Sequence, residues 1–265
     1  IDTLATILYT PEPAPAGLVW FRIALSGLKG GHSGDDIDKG RGNSNKLLNR
    51  FLRYGTREFG LRLAQFDGGN LRNAIPREAF AIFGVSAGCV KPMLERFETY
   101  KAEITAEFQM TESSLEVTLA EEPAPAQVVD EVTQRRLVNA VCGVPNGVLA
   151  MSSAMPGLVE TSTNLASVKF PEPGRIVVTT SQRSSVGSAR DEAAASVRAV
   201  FDLAGARVIH SDGYPGWNPN PGSRLLKVAE QTYERLFGHA PKVRAIHAGL
   251  ECGLFLEKYP HLEMV

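Results

Sequence analysis

Residues 27–48 of the chain read GLKGGHSGDDIDKGRGNSNKLL, and this stretch decides the predicted fold. It follows an apolar run, residues 19–25, that predicts a β-strand. It precedes a helical pattern that places the leucines and phenylalanine of residues 47–52 on one face. Four glycines fall within residues 27–34, so the backbone can turn there and approach other groups closely. The pattern therefore predicts a glycine-rich loop that carries His32 from a sheet into a helix.

Generic loop motifs do not explain this stretch. A phosphate-binding loop requires Lys after its second conserved glycine, and the residue after Gly40 is Arg41. A calcium-binding loop that begins at Asp36 requires Gly at its sixth position and Glu at its twelfth, where the chain has Arg41 and Leu47. By spacing alone, the stretch is a strand-to-helix turn with solvated aspartates.

Composition and charge are those of an ordinary globular protein. The chain has 265 residues, of which 43% are hydrophobic and 22% charged, and its formal net charge is -1. That charge does not favour a nucleic-acid partner or an anionic membrane partner, and no apolar run is long enough to span a bilayer. The three cysteines, Cys89, Cys142 and Cys252, are widely spaced. Such spacing is typical of a reducing compartment rather than of a disulfide framework.

The predicted elements follow the ferredoxin-like order β-α-β-β-α-β. In the first half, strands are predicted over residues 19–25, 61–65, 79–85 and 114–119, and helices over residues 43–59 and 91–108. The second half partly repeats this order, with helices over residues 128–141 and 189–203 and strands over residues 158–170, 175–181 and 206–210. Ahead of both, residues 3–9 are prone to form a strand and residues 11–17 an exposed turn. We therefore predict an α+β fold with two ferredoxin-like β-α-β-β units.

A domain boundary is predicted where Gly, Pro and Asn crowd together, at residues 211–219. The elements predicted after it are a helix over residues 223–237, with Ser223 as its N-cap and Gly238 as its stop, and a strand over residues 243–246. We therefore divide the chain into residues 1–210, which hold the two ferredoxin-like units, and residues 211–265, which form a partial α/β segment.

Four stretches resemble the aminoacyl-histidine dipeptidases, which are cytosolic di-metal peptidases of the aminoacylase and carboxypeptidase superfamily. They are residues 27–48, DGGNLRNAIPRE of residues 67–78, GLVETS of residues 157–162 and AIHAGLECG of residues 245–253. They keep their order from end to end of the chain. The resemblance implies that residues 1–210 form a lid and dimerisation domain, and that residues 211–265 belong to a catalytic metallopeptidase domain.

The same resemblance implies the chemistry of the parent protein. In the family, water bridged between two divalent metal ions, expected to be zinc, attacks the scissile carbonyl. The His, Asp and Glu motifs that bind these metals are not in this sequence. We therefore interpret the chain as a fragment that binds no catalytic metal and is inactive alone. The full-length parent is expected to be a cytoplasmic metallo-dipeptidase that hydrolyses unblocked aminoacyl-histidine dipeptides, and to form a homodimer through the lid, as its relatives do.

Four residues are predicted from the resemblance to form the part of the site that this chain supplies. His32 matches a lid histidine whose N–H stabilises the developing oxyanion, and it is the predicted catalytic residue. Asn73 matches a substrate contact, since an amide can donate without adding charge. Arg183 matches the clamp for the free C-terminal carboxylate of a dipeptide, which a guanidinium group binds with two parallel hydrogen bonds. Gly249 matches a backbone contact near the same end of the substrate.

Some alternatives stay open at this point. His247 and Glu251 lie four residues apart, which is too weak a signal for a metal pair, and we interpret them either as structural residues or as supports for the side chains that contact the substrate. The chain could also be a non-catalytic ferredoxin-like dimerisation or small-ligand module, but such a module has no need for His32, Asn73 and Arg183 on loops. A related aminoacylase or tripeptidase differs in the shape of its pocket, which the sequence does not reveal.

Overall fold

One large antiparallel sheet organises the structure. The computed structural model describes residues 1–213, 215–217, 220, 222–243, 247 and 251–265. The described strands are β1 (Asp2–Leu8), β2 (Glu12–Pro13), β3 (Leu18–Ser26), β4 (Gly31–His32), β5 (Arg62–Gly68), β6 (Ala74–Ile75), β7 (Ala79–Ser86), β8 (Glu116–Glu121), β9 (Gln127–Val128), β10 (Gly147–Met151), β11 (Val159–Glu172), β12 (Arg175–Ser184) and β13 (Arg207–His210). The described helices are α1 (Ser44–Glu58), α2 (Val90–Phe108), α3 (Glu131–Gly143), α4 (Gly187–Leu203), α5 (Arg224–Phe237) and α6 (Glu251–Lys258).

The first ferredoxin-like unit is the run β3-α1-β5-β7-α2-β8. Its strands lie in the order β5-β7-β3-β8, and every neighbouring pair is antiparallel. This is the split β-α-β arrangement, in which the strand that follows the first helix lies two places away and the third strand fills the gap. The predicted order of elements in this half of the chain is confirmed.

The second unit obtains its first strand from the beginning of the chain. Strand β1 pairs with β12 on one side and with β13 on the other, so the unit has the order β13-β1-β12-β11 with helices α3 and α4. The first unit is therefore inserted between the first strand and the first helix of the second. This explains why the second half of the sequence only partly repeats the first: its missing strand lies more than a hundred residues upstream.

The two units meet at one edge of each and form a continuous sheet. Strand β11 pairs with β5 at Val168 and Gly68, and β10 extends the same side of β11. A buried amide network bridges the units: Asn43 Nδ2 donates to Asn146 Oδ1 at 3.0 Å and to the Leu165 carbonyl at 3.0 Å. In the described part of the chain, the main sheet then has nine strands.

The first helix begins and faces the core as its sequence predicts. The side chain of Asn43 accepts from Lys46 N at 3.2 Å and caps the helix, because a capping oxygen satisfies an amide that has no partner in the first turn. The predicted apolar face is buried; its members are Leu47, Leu48, Phe51 and Leu52. Phe51 packs edge-on against Phe97 of α2, with ring centroids 6.0 Å apart. Helix α1 therefore packs its apolar face into the core, where it also contacts α2.

Several details differ from the prediction. Strand β12 continues to Ser184 rather than ending at residue 181, so Arg183, predicted on a loop, lies within the strand. Helix α3 begins at Glu131 rather than at Val128, because Asp130 caps it by accepting from Thr133 N at 2.9 Å. The residues before it form β9, which pairs with β2, so the stretch predicted as an exposed turn contains a short strand. Strand β10 was not predicted at all; its five residues follow α3 closely and carry two register shifts.

The C-terminal segment contains α5 and α6. The side chain of Ser223 accepts from Leu226 N, and Gly238 ends α5 with a φ of 73°, so both predicted boundaries are confirmed. Part of the boundary predicted at residues 211–219 and most of the strand predicted at residues 243–246 lie outside the described residues. The division into two domains at residues 210 and 211 stays a prediction. None of the described helices is long and apolar enough to cross a membrane.

Candidate functional site

The His32 loop and the Asn73 loop form a small sheet of their own. Strand β4 pairs with β6, with His32 opposite Ala74, and Ser33 N donates to the Asn73 carbonyl at 2.8 Å. The buried Asn164 of β11 donates to the Ala74 carbonyl at 2.8 Å, which ties this pair of loops to the second unit. Two residues predicted separately, His32 and Asn73, therefore lie on neighbouring loops.

The imidazole of His32 has a defined orientation. Its Nδ1 accepts from Gly34 N at 3.2 Å and from Asp35 N at 3.3 Å. In the neutral ring, a nitrogen that accepts carries no proton, so the proton is on Nε2. A Cβ at Gly34 would lie 3.0 Å from Nδ1, so glycine is what lets the ring lie on the loop backbone. The side chain of His32 is 43% exposed, and its Nε2–H is available to an outside acceptor.

An anchoring carboxylate closes the base of the loop. Glu112 is 2% exposed and accepts from Lys29 N and from Gly42 N, each at 2.8 Å, so one side chain holds both ends of the loop. Within the loop, Asp36 accepts from His32 N at 2.9 Å and pairs with Arg41 at 3.0 Å. The sequence interpretation of solvated aspartates is therefore wrong for Asp36, whose carboxylate shapes the loop.

Replacing Glu112 with alanine is expected to destabilise the chain by about 2–4 kcal/mol, because the buried amide of Gly42 and the partly buried amide of Lys29 lose a charged acceptor. Urea unfolding at neutral pH measures this change. The exposed Glu121 provides the matched control, since Glu121→Ala is expected to change stability by less than about 0.5 kcal/mol. A Glu112→Ala protein as stable as the Glu121→Ala protein would contradict the anchoring role.

Arg183 lies beside this loop. It belongs to β12, where it pairs in register with Ser162 of β11. Its Nη1 lies 3.7 Å from the position that a Cβ at Gly34 would take, so the guanidinium group faces the turn that holds the His32 ring. Its Nε is buried and has no hydrogen-bond partner, and no hydrogen bond or ion pair joins the group to another described residue. A half-buried cation without a carboxylate is an available binding group for an anion.

A buried histidine from the C-terminal segment completes the cluster. His247 is 5% exposed, and its Nε2 lies 2.8 Å from Ser162 Oγ. Burial, with the neighbouring charge of Arg183, lowers the pKa of His247 to about 4, although Asp35 and Asp38 oppose this shift. His247 is therefore neutral at pH 7 and hydrogen-bonded to the residue opposite Arg183.

Acid is expected to weaken the structure around His247. Because the pKa is lower in the folded chain than in the unfolded chain, the unfolded state binds more protons below about pH 6.5. Stability is therefore fully present above that pH and is lost as the pH falls toward 4, by about 1–2 kcal/mol at pH 5. Urea unfolding at pH 7.5 and pH 5 measures the loss. His247→Gln should show a smaller loss than the exposed control His239→Gln, and equal losses would contradict the assignment.

The other predicted residues have different surroundings. The side chain of Asn73 is exposed and makes no hydrogen bond to a described residue, while its carbonyl serves the His32 loop. Asn70 instead accepts from Lys169 at 2.9 Å beside an ion pair of that lysine with Asp67. Gly249 lies outside the described residues, so its predicted backbone contact has no structural description here.

Sequence reasoning missed the contribution of His247 to this cluster. The interpretation of His247 as a structural residue agrees with its burial, but its contact is with Ser162, 85 positions away. Glu251 begins α6 and is exposed. The stretches around both contacting residues were recognised, yet spacing along the chain gave no sign that they meet.

Comparison with known proteins shows that the chain is similar to peptidases. Residues 17–114, which contain the first ferredoxin-like unit except its last strand, β8, match the family described as "Peptidase dimerisation domain". The chain is 40% identical over its whole length to the cytosol non-specific dipeptidase of Escherichia coli strain K12, of which it covers 54%. It is also 40% identical to the aminoacylhistidine dipeptidase of Vibrio alginolyticus, whose crystal structure superposes with a TM-score of 0.93 over 98% of this chain and 53% of that one.

These similarities confirm the resemblance that the four stretches indicate. Over its whole length the chain is a homologue, at 40% identity, of proteins named as dipeptidases. It spans about half the length of the relatives that it matches.

The described residues do not fit a di-metal centre. Within the described ranges, no group of three or more His, Cys, Asp or Glu side chains is arranged to hold a metal ion. His32, Arg183 and His247 offer hydrogen bonds and charge instead. What this cluster can do with its own groups is to bind an anion and to donate to an oxygen.

Proposed function

We propose that the full-length protein is a metal-dependent dipeptidase that hydrolyses unblocked aminoacyl-histidine dipeptides, and that this chain supplies its lid. The observation that supports the proposal best is the geometry of His32 beside Arg183. One group presents an N–H away from its own loop, and the other presents a guanidinium group that has no hydrogen-bond or ion-pair partner in the part of the chain that the structure describes. The names of the two relatives support a dipeptide substrate.

In this proposal, Arg183 binds the C-terminal carboxylate of the dipeptide. Every unblocked dipeptide has that carboxylate, and a guanidinium group matches it in charge and in geometry. The neutral His247 leaves this positive charge uncompensated, which favours an anion at the site. Asn73, on the loop next to His32, is proposed as a neutral donor to the substrate. Gly249 keeps its predicted role as a backbone contact.

His32 is proposed to donate from Nε2 to the oxygen of the scissile carbonyl as negative charge develops there. A donor aimed at charge that exists only in the transition state lowers the barrier without tightening substrate binding. The two divalent metals, expected to be zinc, would activate the attacking water. Their ligands are proposed to come from parts of the full-length protein that this sequence does not include.

The oligomeric state and the cellular location are proposed from the names of the matching family and of one relative. The match to a dimerisation domain favours a homodimer. The edge of β5 is already occupied by β11 of the same chain, so self-association would use another part of the lid, such as the edges of β8 or β13. Sedimentation of the full-length protein at micromolar concentration tests this, and a strict monomer would contradict it. A cytoplasmic location is proposed from the name of the relative from Escherichia coli.

The function is tested by assaying the full-length protein and this chain side by side on an aminoacyl-histidine dipeptide. We expect turnover by the full-length protein that chelation abolishes and zinc restores, and none by this chain alone. The N-acetylated dipeptide should be a poor substrate if the enzyme requires an unblocked amine. Preference for acylated amino acids would instead favour an aminoacylase, and inactivity of the full-length protein toward all three substrates would favour a non-catalytic module.

A further inference from the structure

A cationic groove lies on the helical side of the lid, outside the site described above. It has a volume of about 580 Å³ and runs along α1, between α2 and the end of α3. Six of its lining side chains are cationic, and they are Arg41, Lys46, Arg50, Arg53, Arg57 and Arg96. One lining side chain, Glu58, is anionic. The groove therefore concentrates positive charge on a chain whose formal net charge is -1.

Four of these cations form a stripe on α1. Lys46, Arg50, Arg53 and Arg57 recur at intervals of three and four residues, which places them on one face of the helix. At the rise of an α-helix, the stripe spans about 16 Å. Like charges at these intervals destabilise a helix by about 0.2–0.5 kcal/mol per pair. An anion bound along the stripe would relieve that repulsion.

Carboxylates of the same chain neutralise only half of the lining cations. Arg50 donates to Glu107 at 2.9 Å, and Arg96 donates to Glu103 at 2.9 Å. Arg41 pairs with Asp36 at 3.0 Å. The other three cations, Lys46, Arg53 and Arg57, are therefore the ones left to bind an anion from outside the chain.

The three remaining cations have no carboxylate partner among the described residues. Lys46 Nζ donates to the carbonyls of Cys142, at 3.0 Å, and Val144. Burial lowers the pKa of Lys46 to about 8, and no carboxylate is among the groups that oppose this shift. Arg53 donates to the neutral Asn139 at 3.2 Å, and Arg57 makes no hydrogen bond to a described residue. Their charge exceeds what Glu58 can balance.

We propose that this groove binds a small molecule that carries two or more phosphate groups. Guanidinium groups bind phosphate through paired hydrogen bonds, and successive turns of α1 offer them at intervals along the groove. One face of the Tyr54 ring is covered by the guanidinium group of Arg96, 4.8 Å from the ring centroid, and that face is not free to stack on a base. The proposal therefore rests on the cations, which recognise the phosphates, and names no nucleoside.

Calorimetric titration of this chain with tripolyphosphate at low ionic strength tests the site. We expect saturable binding to one site, and binding weaker by about tenfold or more in Arg53→Gln/Arg57→Gln, because two charged hydrogen-bond donors are lost. The matched control is Arg135→Gln/Arg136→Gln, which removes the same charge from the exposed side of α3 and should bind as the unaltered chain does. Glutamine keeps the helix propensity of these positions, and circular dichroism checks that both variants fold.

Three results would overturn the proposal. If both double variants bound tripolyphosphate equally weakly, the anion would be attracted to positive surface charge in general rather than to this groove. Absence of saturable binding to the unaltered chain would mean that there is no site. Citrate binding as tightly as tripolyphosphate would mean a carboxylate site rather than a phosphate site. None of these measurements depends on peptidase activity, so failure here is distinguishable from failure of the proposed function. Arg57→Glu, at the residue without a partner, gives a single-site check and should also weaken binding.

Discussion

Replacing His32 with alanine in the proposed full-length dipeptidase is expected to lower kcat by ~10²–10³ while KM changes little. The reason is the orientation of the ring: two backbone amides donate to Nδ1, so Nε2–H faces away from the loop as a fixed donor. The negative charge that the ring is proposed to meet exists only in the transition state, so the loss of the ring is expected to lower kcat.

Steady-state kinetics on one histidine dipeptide measures this effect. His32→Gln keeps an N–H donor at a similar reach and is expected to retain more activity than His32→Ala. The exposed His239 provides the matched control, because His239→Ala should leave both constants unchanged. If His32→Ala raises KM and leaves kcat unchanged, the residue binds substrate and does not stabilise the oxyanion.

Replacing Arg183 with alanine is expected to raise KM by roughly 10–150-fold with a smaller change in kcat, since a hydrogen-bonded charge pair of about 1.5–3 kcal/mol is lost from both the ground state and the transition state. The guanidinium group has a buried Nε and no partner among the described residues, so none of those residues competes with the substrate for it. Arg183→Lys should recover only part of the affinity, because a point charge cannot reproduce two parallel hydrogen bonds.

A change of substrate isolates the contact made by Arg183. A dipeptide with a C-terminal amide lacks the charge that Arg183 is proposed to bind, so the unaltered enzyme should discriminate strongly against it, and Arg183→Ala should not. Arg175→Ala, on the same strand and paired with Glu172, is the control for a general loss of positive charge. Equal discrimination by the unaltered enzyme and Arg183→Ala would contradict the clamp.

The local features of the fold could be predicted from the sequence. Periodicity located helices α1, α2 and α4 within a few residues, and the caps Ser223 and Gly238 marked the ends of α5, because these signals depend only on neighbouring residues. The origin of β1 in the second unit could not be predicted in this way. The residues of β1 predict a strand, but its partners β12 and β13 are distant in the sequence. No pattern within residues 2–8 indicates which strands they pair with.

In the candidate site, too, local features could be predicted from the sequence and long-range contacts could not. The glycine-rich loop around His32 was visible in the sequence, and the resemblance identified Asn73 and Arg183. The groups that hold the loop in shape were not visible, because Glu112 reaches it from 83 and 70 positions away. The contact of His247 with Ser162 likewise joins two segments that only the folded chain brings together. Long-range polar contacts of this kind leave no period in the sequence.

The most direct test of the central claim compares inhibition with catalysis. A phosphinic analogue of an aminoacyl-histidine dipeptide carries the tetrahedral oxygen that His32 is proposed to meet, and transition-state analogues gain the interactions that catalysis uses. We predict that His32→Ala and His32→Gln each raise the inhibition constant of the analogue for the full-length enzyme. The factor should equal the one by which the same substitution lowers kcat/KM. If the inhibition constant stays the same while kcat/KM falls, His32 does not stabilise the oxyanion, and the account of this lid is wrong.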